Sequence, residues 1–259
     1  MTQQITPFSA IQTLLNTELF SFNSRTFSAL FGLDKFQTNN LLNRMEKVGL
    51  VVRIERGKFL LLGLTPEKVL SNPLYIGSYI VTPAYVSFWS ALHFHGFTDQ
   101  VPRTVFIVTT RRKKDVTFRD MNFQFITLKP QHFFGYRREM LADLPVVIAD
   151  EAKAILDSLA LPQYAGGLAE VAKALHIATS EERLEMQVMF DYVERLQNAS
   201  LSSRLGYLLE LLGKSAEGLQ PSKGPVKLDP QRPTRGNFNP RWQLYINVTQ
   251  EELIPQGVA

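Results

Sequence analysis

Residues 34–63 read DKFQTNNLLNRMEKVGLVVRIERGKFLLLG. The first half has the period of a helix. Asp34 is placed to cap it, and Leu41, Leu42, Met45 and Val48 recur as an apolar stripe. Gly49 then supplies a residue that tolerates positive φ, which suits a helix stop. The second half holds two β-rich runs that meet at Arg56-Gly57, and this predicts a hairpin over 50–62. Upstream, SRTFSALFG (24–32) predicts a short helix with Asn23 or Ser24 as its cap and Gly32 as its stop. Phe8, Ile11, Leu15 and Leu19 fall at helical spacing and predict another. Two short helices, then a helix that leads into a hairpin, are the order of a winged helix-turn-helix. The expected fold class is therefore α+β, with such a domain over residues 1–70.

The residue types on the third helix sharpen this expectation. Opposite its apolar stripe it offers Lys35, Gln37, Asn39, Asn40, Asn43 and Arg44. Asparagine and glutamine can pair bidentately with adenine, and arginine with guanine, in a major groove that admits a helix. Arg56 and Lys58 at a tight turn suit phosphate contact, and Gly57 permits the turn. The plainer alternative is a helical bundle whose hairpin serves protein contacts.

GLTPEKVLSNPLY (63–75), with two prolines and a polar cluster, reads as a linker, so a second domain is expected over 71–259. Thr82-Pro83 predicts the start of a helix that runs to about His95 and stops at Gly96. TVFIVTT, DVTFRD, NFQFITL and FFGYRRE predict strands, and from Ile148 onward the pattern is helical. SEERLEMQVMFDYVERLQ (180–197) predicts one long helix capped by Thr179 or Ser180, with Glu182 in its first turn. Residues 214–240 hold five prolines and predict a long loop before a last strand at RWQLYINV. No internal repeat is present.

With 259 residues the chain has length for one large or two ordinary domains. It contains no cysteine, which excludes disulfides, thiolate chemistry and Cys-ligated metals. No apolar run approaches the length of a membrane span, and MTQQITPFSA lacks the pattern of a secretory leader, so a cytoplasmic location is expected. The net charge of +4 is mild but clustered. Between Val101 and Met140 there are nine Lys or Arg against three acids, and TTRRKKD (109–115) places Arg111, Arg112, Lys113 and Lys114 in one loop. That loop is either a second phosphate-contacting element or a solvated turn.

Catalytic patterns are absent: the chain has no Gly-rich phosphate loop, zinc motif or nucleophile elbow, so an enzyme is not expected. His93 and His95 stand two apart, a spacing that points to different faces of a helix and serves one metal poorly. No metal or cofactor is expected. Leu205, Leu208, Leu209 and Leu212 share one helical face, either as core or as a self-association or partner surface.

Four stretches resemble the AbiEi family, the antitoxin and regulator components of AbiE-type (type IV) toxin–antitoxin systems linked to abortive phage infection. They are SALFGLDKFQTNNLLNRMEKVGLVVRIERGKFLLL, YVSFWSALHFHGFTDQVPRTVFIVTTRRKKDV, ADEAKAILDSLALPQYAGGLAEVAKAL and SSRLGYLLELLG, and together they cover most of the chain. The resemblance implies an N-terminal domain that binds the operator of its own operon, with repeated half-sites. It implies a C-terminal domain that opposes a nucleotidyltransferase-like toxin without requiring a stable complex. Relatives that act only as regulators are also implied.

Overall fold

A computed structural model describes residues 5–254. The first four and last five residues of the two expected domains lie outside the described residues. The fold is mixed α+β. The chain opens with α1 (Pro7–Asn16), β1 (Ser21–Asn23), α2 (Ser24–Phe31), α3 (Lys35–Lys47), β2 (Val51–Glu55) and β3 (Lys58–Leu61). The strands form an antiparallel sheet in the order β1-β3-β2.

Local chemistry explains these boundaries. The Asn23 side chain accepts from the Thr26 amide at 2.8 Å and starts α2, and Gly32, at φ 63°, ends it. Asp34 and Gln37 form a reciprocal capping box at the start of α3. Two stripes differ from expectation. α1 buries Ala10, Ile11 and Leu14, whereas Phe8 and Leu15 are exposed. α3 buries Thr38, Leu41, Leu42 and Met45, whereas Val48 is exposed and lies just beyond the helix. In both helices a small or polar residue takes a place in the seam that the bulkier residue was expected to fill.

The stretch expected as a linker is instead two helices, α4 (Pro66–Leu70) and α5 (Pro73–Ile80). Asn72 caps α5 by accepting from the Tyr75 amide at 3.0 Å. The strand β4 (Ala84–Val86) follows where a helix start was expected, and the helix α6 (Phe88–Phe94) begins only after it. Pairing of β4 with two other strands outweighs the local Thr-Pro signal. Next come β5 (Thr104–Thr109), β6 (Val116–Phe118), β7 (Met121–Thr127), β8 (Tyr136–Leu141) and β9 (Leu144–Ala149). With β4 they form a mixed sheet in the order β6-β7-β5-β4-β9-β8. Both faces of its centre are covered. On β5, Val105 and Ile107 touch Gly77 in α5, while Phe106 packs on Tyr164 from the other side.

β9 takes Ile148 and Ala149, where the helical run was expected to begin, and the helices follow it as α7 (Glu151–Ala160), α8 (Leu168–Ser180), α9 (Met186–Leu196) and α10 (Ala199–Leu211). α8 runs through Thr179 and Ser180, so these residues end one helix rather than cap the next. Glu182, at φ 53°, lies in the turn between α8 and α9. The long loop carries β10 (Val226–Lys227) and β11 (Asn237–Asn239), which join β12 (Leu244–Ile246) in a small sheet before α11 (Gln250–Leu253). No helix is long and apolar enough to cross a membrane.

Two cores result, and β3 separates them. Phe59 and Leu61 belong to the small N-terminal core, whereas Leu60 and Leu62 belong to the large one. Successive residues of a strand point to opposite faces, so the unbroken apolar run FLLL is explained by burial on both sides. Phe20 extends the junction by packing on Tyr75 and Tyr79 of α5. The Ser21 hydroxyl donates to the Tyr79 carbonyl, and Arg138 holds Glu18 at 2.9 and 3.0 Å.

α10 is buried along its whole middle, residues 201–209, so Leu205, Leu208 and Leu209 are core. Gly206 in that helix packs against Trp242, and a Cβ there would clash with the Cη2, Cζ3 and Cζ2 atoms of the indole. Trp242 has no room to retreat, being 3% exposed and tied by Nε1 to Glu210 Oε2 at 2.8 Å. Gly206→Ala is expected to cost about 1–3 kcal/mol by overpacking. Urea denaturation checks this: the midpoint should fall with the slope unchanged.

Candidate nucleic-acid interface

The site is built on α3. At 100° per residue, the buried residues Thr38, Leu41, Leu42 and Met45 form one seam. Asn40 and Asn43 lie opposite it, with Asn39 and Arg44 to either side, and all four are exposed. Lys35 is exposed in the first turn. Gln37 is exposed too, but its Oε1 accepts from the Asp34 amide at 3.1 Å, so half of its amide is committed to the cap. Two further residues complete the outward face and were not singled out in the sequence, Phe36 and Lys47. Their spacing to Asn40 and Asn43, at i, i+4, i+7 and i+11, was the available signal.

The outward face carries no carboxylate. The acidic residue within α3, Glu46, is held by Arg53 at 3.3 Å. Arg53 also lies over the Phe59 ring, 5.2 Å from its centre, so it belongs to the hairpin's packing. Of the three basic residues in the hairpin, only Arg56 is exposed without an ion-pair partner among the described residues. The turn is pinned to α2, since the Ser24 amide donates to Gly57 O at 3.1 Å.

Lys58 is placed differently from expectation. Its Nζ donates to the carbonyl of Ile80 at the end of α5. Burial holds its ammonium below the usual lysine value, and repulsion from Lys113 and Arg111 lowers it further against the pull of Glu55. It fastens the hairpin to the second core.

The same charges locate the loop 111–114. Lys113 reaches across to Glu55 on β2 at 2.5 Å and lies 5.8 Å from the centre of the Phe125 ring. The loop is braced from below: Thr109 Oγ1 accepts from the Arg111 amide, and Asp115 Oδ1 from the Phe125 amide. Arg111, Arg112 and Lys114 are left exposed beside the hairpin. Lys113 is the hinge pin of the group, half-buried and paired.

No protein-family profile matches the chain, and no curated protein is significantly similar to it. A solved structure shares its fold. It is the crystal structure of the Rv2827c protein from Mycobacterium tuberculosis, matched at a TM-score of 0.54. The match covers 93% of this chain and 92% of that one, at 13% sequence identity. At that identity the likeness extends to the fold alone.

The two histidines of HFHGF part company. His95 is buried, with Nε2 2.8 Å from Ala149 O. A carbonyl only accepts, so Nε2 carries the proton. Burial keeps the ring's pKa below the ordinary histidine value, despite Glu151 at 3.6 Å from Nδ1. It is a satisfied structural histidine. His93 lines a cleft of about 390 Å³ with Asn72, Ser90 and Val105, and its Nδ1 is buried without a hydrogen-bond partner among the described residues.

Proposed function

We propose that the N-terminal unit is a winged helix-turn-helix that binds double-stranded DNA in a sequence-specific way. In this reading α2 and α3 are the helix-turn-helix, α3 enters the major groove, and the β2–β3 hairpin is the wing. The observation that carries it is the outward face of α3, where amides and cations stand without an ion-paired carboxylate among the described residues. Asn39, Asn40, Asn43 and Arg44 address base edges, with Gln37 at the flank. Lys35 and Arg56 address phosphates, and Arg111, Arg112 and Lys114 extend the basic surface onto the second domain. Lys58, tied to Ile80, is a positioning residue for the wing.

The protein is then a cytoplasmic repressor of its own operon. The resemblance to AbiEi proteins adds an antitoxin role against a nucleotidyltransferase-like toxin, exercised through the second domain. Growth rescue on co-expression with a toxin encoded alongside it tests that role directly.

DNA binding is tested by mobility shift on the protein's own upstream DNA. Arg44→Ala is expected to cost about 1–3 kcal/mol and to relax specificity at one position. Arg56→Ala should weaken binding evenly across sequences and lower the salt slope by about 1. No preference over random DNA, with both variants unchanged, would move the protein to the class of interaction modules.

A further inference from the structure

Phe36 is 74% exposed, the most exposed of the large apolar side chains among the described residues. It is no stray surface residue. At 100° per residue, Phe36, Asn40, Asn43 and Lys47 fall within about 60° of one another, opposite the buried seam of α3. Phe36 stands in the first turn, at the end of a recognition helix that goes deepest into the groove. A phenyl ring there has one apolar partner in the major groove, the 5-methyl group of thymine. The amides that follow it, Asn40 one turn on and Asn43 two turns on, match the N6 and N7 edge of adenine.

We propose that Phe36 is a specificity-determining residue that reads a thymine methyl, and that the operator half-site sets this thymine beside the adenines read by Asn40 and Asn43. This rests on the DNA-binding reading above and adds the base class to it. Charge favours DNA as the occupant of this face. Lys35, Arg44 and Lys47 surround Phe36 and the asparagines, and Glu46 is taken up by Arg53.

The test replaces the operator's thymines one at a time by deoxyuridine, which removes the methyl and leaves the pairing edge intact. Binding of the wild-type protein and of Phe36→Ala is measured to each DNA. At one thymine per half-site, deoxyuridine should weaken the wild type about fourfold, the worth of one buried methyl. Phe36→Ala should bind both DNAs equally. Its exposed position makes the substitution harmless to folding, which an unchanged denaturation midpoint would verify. Specific binding that tolerates deoxyuridine everywhere overturns the role of Phe36 and leaves the DNA reading standing. So does a deoxyuridine penalty that persists undiminished in Phe36→Ala. Binding to no DNA in preference to random sequence overturns both, and points to a protein partner for this face.

Discussion

Lys153→Ala will destabilise the protein by about 3–5 kcal/mol, although Lys153 touches no surface. The side chain is fully buried in α7, one turn before Asp157. Its Nζ pairs with Asp157 Oδ1 and donates to Tyr85 OH at 2.9 Å. The other carboxylate oxygen accepts from Tyr85 OH at 3.1 Å and from Ser87 Oγ at 2.8 Å. Burial and the neighbouring carboxylate hold the Tyr85 phenol well above its ordinary pKa, so it stays a donor. The rings of Tyr85 and Phe134 lie 5.5 and 5.3 Å from the ammonium. Removal of Lys153 leaves a carboxylate in the core with two hydroxyls and no counter-charge. The cost comes from that orphaned charge more than from the lost pair. Lys153→Met combined with Asp157→Leu should therefore recover most of the stability. Urea titration of the two variants decides it. A loss below about 1 kcal/mol in Lys153→Ala would show that the pair contributes little.

What the sequence made legible follows the range of the forces involved. α2 and α3 were readable to within a residue because Asn23, Gly32, Asp34 and Gly49 act on backbone groups a few positions away. Strands β5 to β8 were legible as β-branched and aromatic runs, but β9 was not, and neither was β4. Its three residues are held by β5 and β9, some 20 and 60 positions downstream, and nothing local announces that. α4 and α5 hid behind their prolines, which sit at the first helical position in both. At the candidate site the amides of α3 could be named from periodicity alone. The fate of Lys58 could not, since its acceptor lies 22 residues away on α5. Nor could the meeting of loop 111–114 with the hairpin, which depends on β3 being packed between two cores.

That meeting gives the second large effect. In the proposed complex, Arg111, Arg112 and Lys114 sit beside the wing and are free to reach the phosphates next to those that Arg56 contacts. Each phosphate neutralised releases counterions, so three contacts add about 2.7 to the slope of log K against log salt. At an ionic strength near 0.15 M the same release is worth about a hundredfold in affinity. The triple variant Arg111→Ala/Arg112→Ala/Lys114→Ala should lose both. The loss should be equal on operator and random DNA, because phosphate contacts carry no sequence information. Specificity would survive in α3 while affinity fell. Glu55→Gln probes the cause from the other side. It weakens the contact that holds Lys113 to β2 without removing a positive charge. It also takes a negative charge from beside the wing and frees Lys113, so it should raise affinity while leaving the number of basic residues unchanged. An unaltered salt slope in the triple variant would mean that the loop faces away from the DNA. The two cores would then be fused through β3 for a reason unrelated to binding.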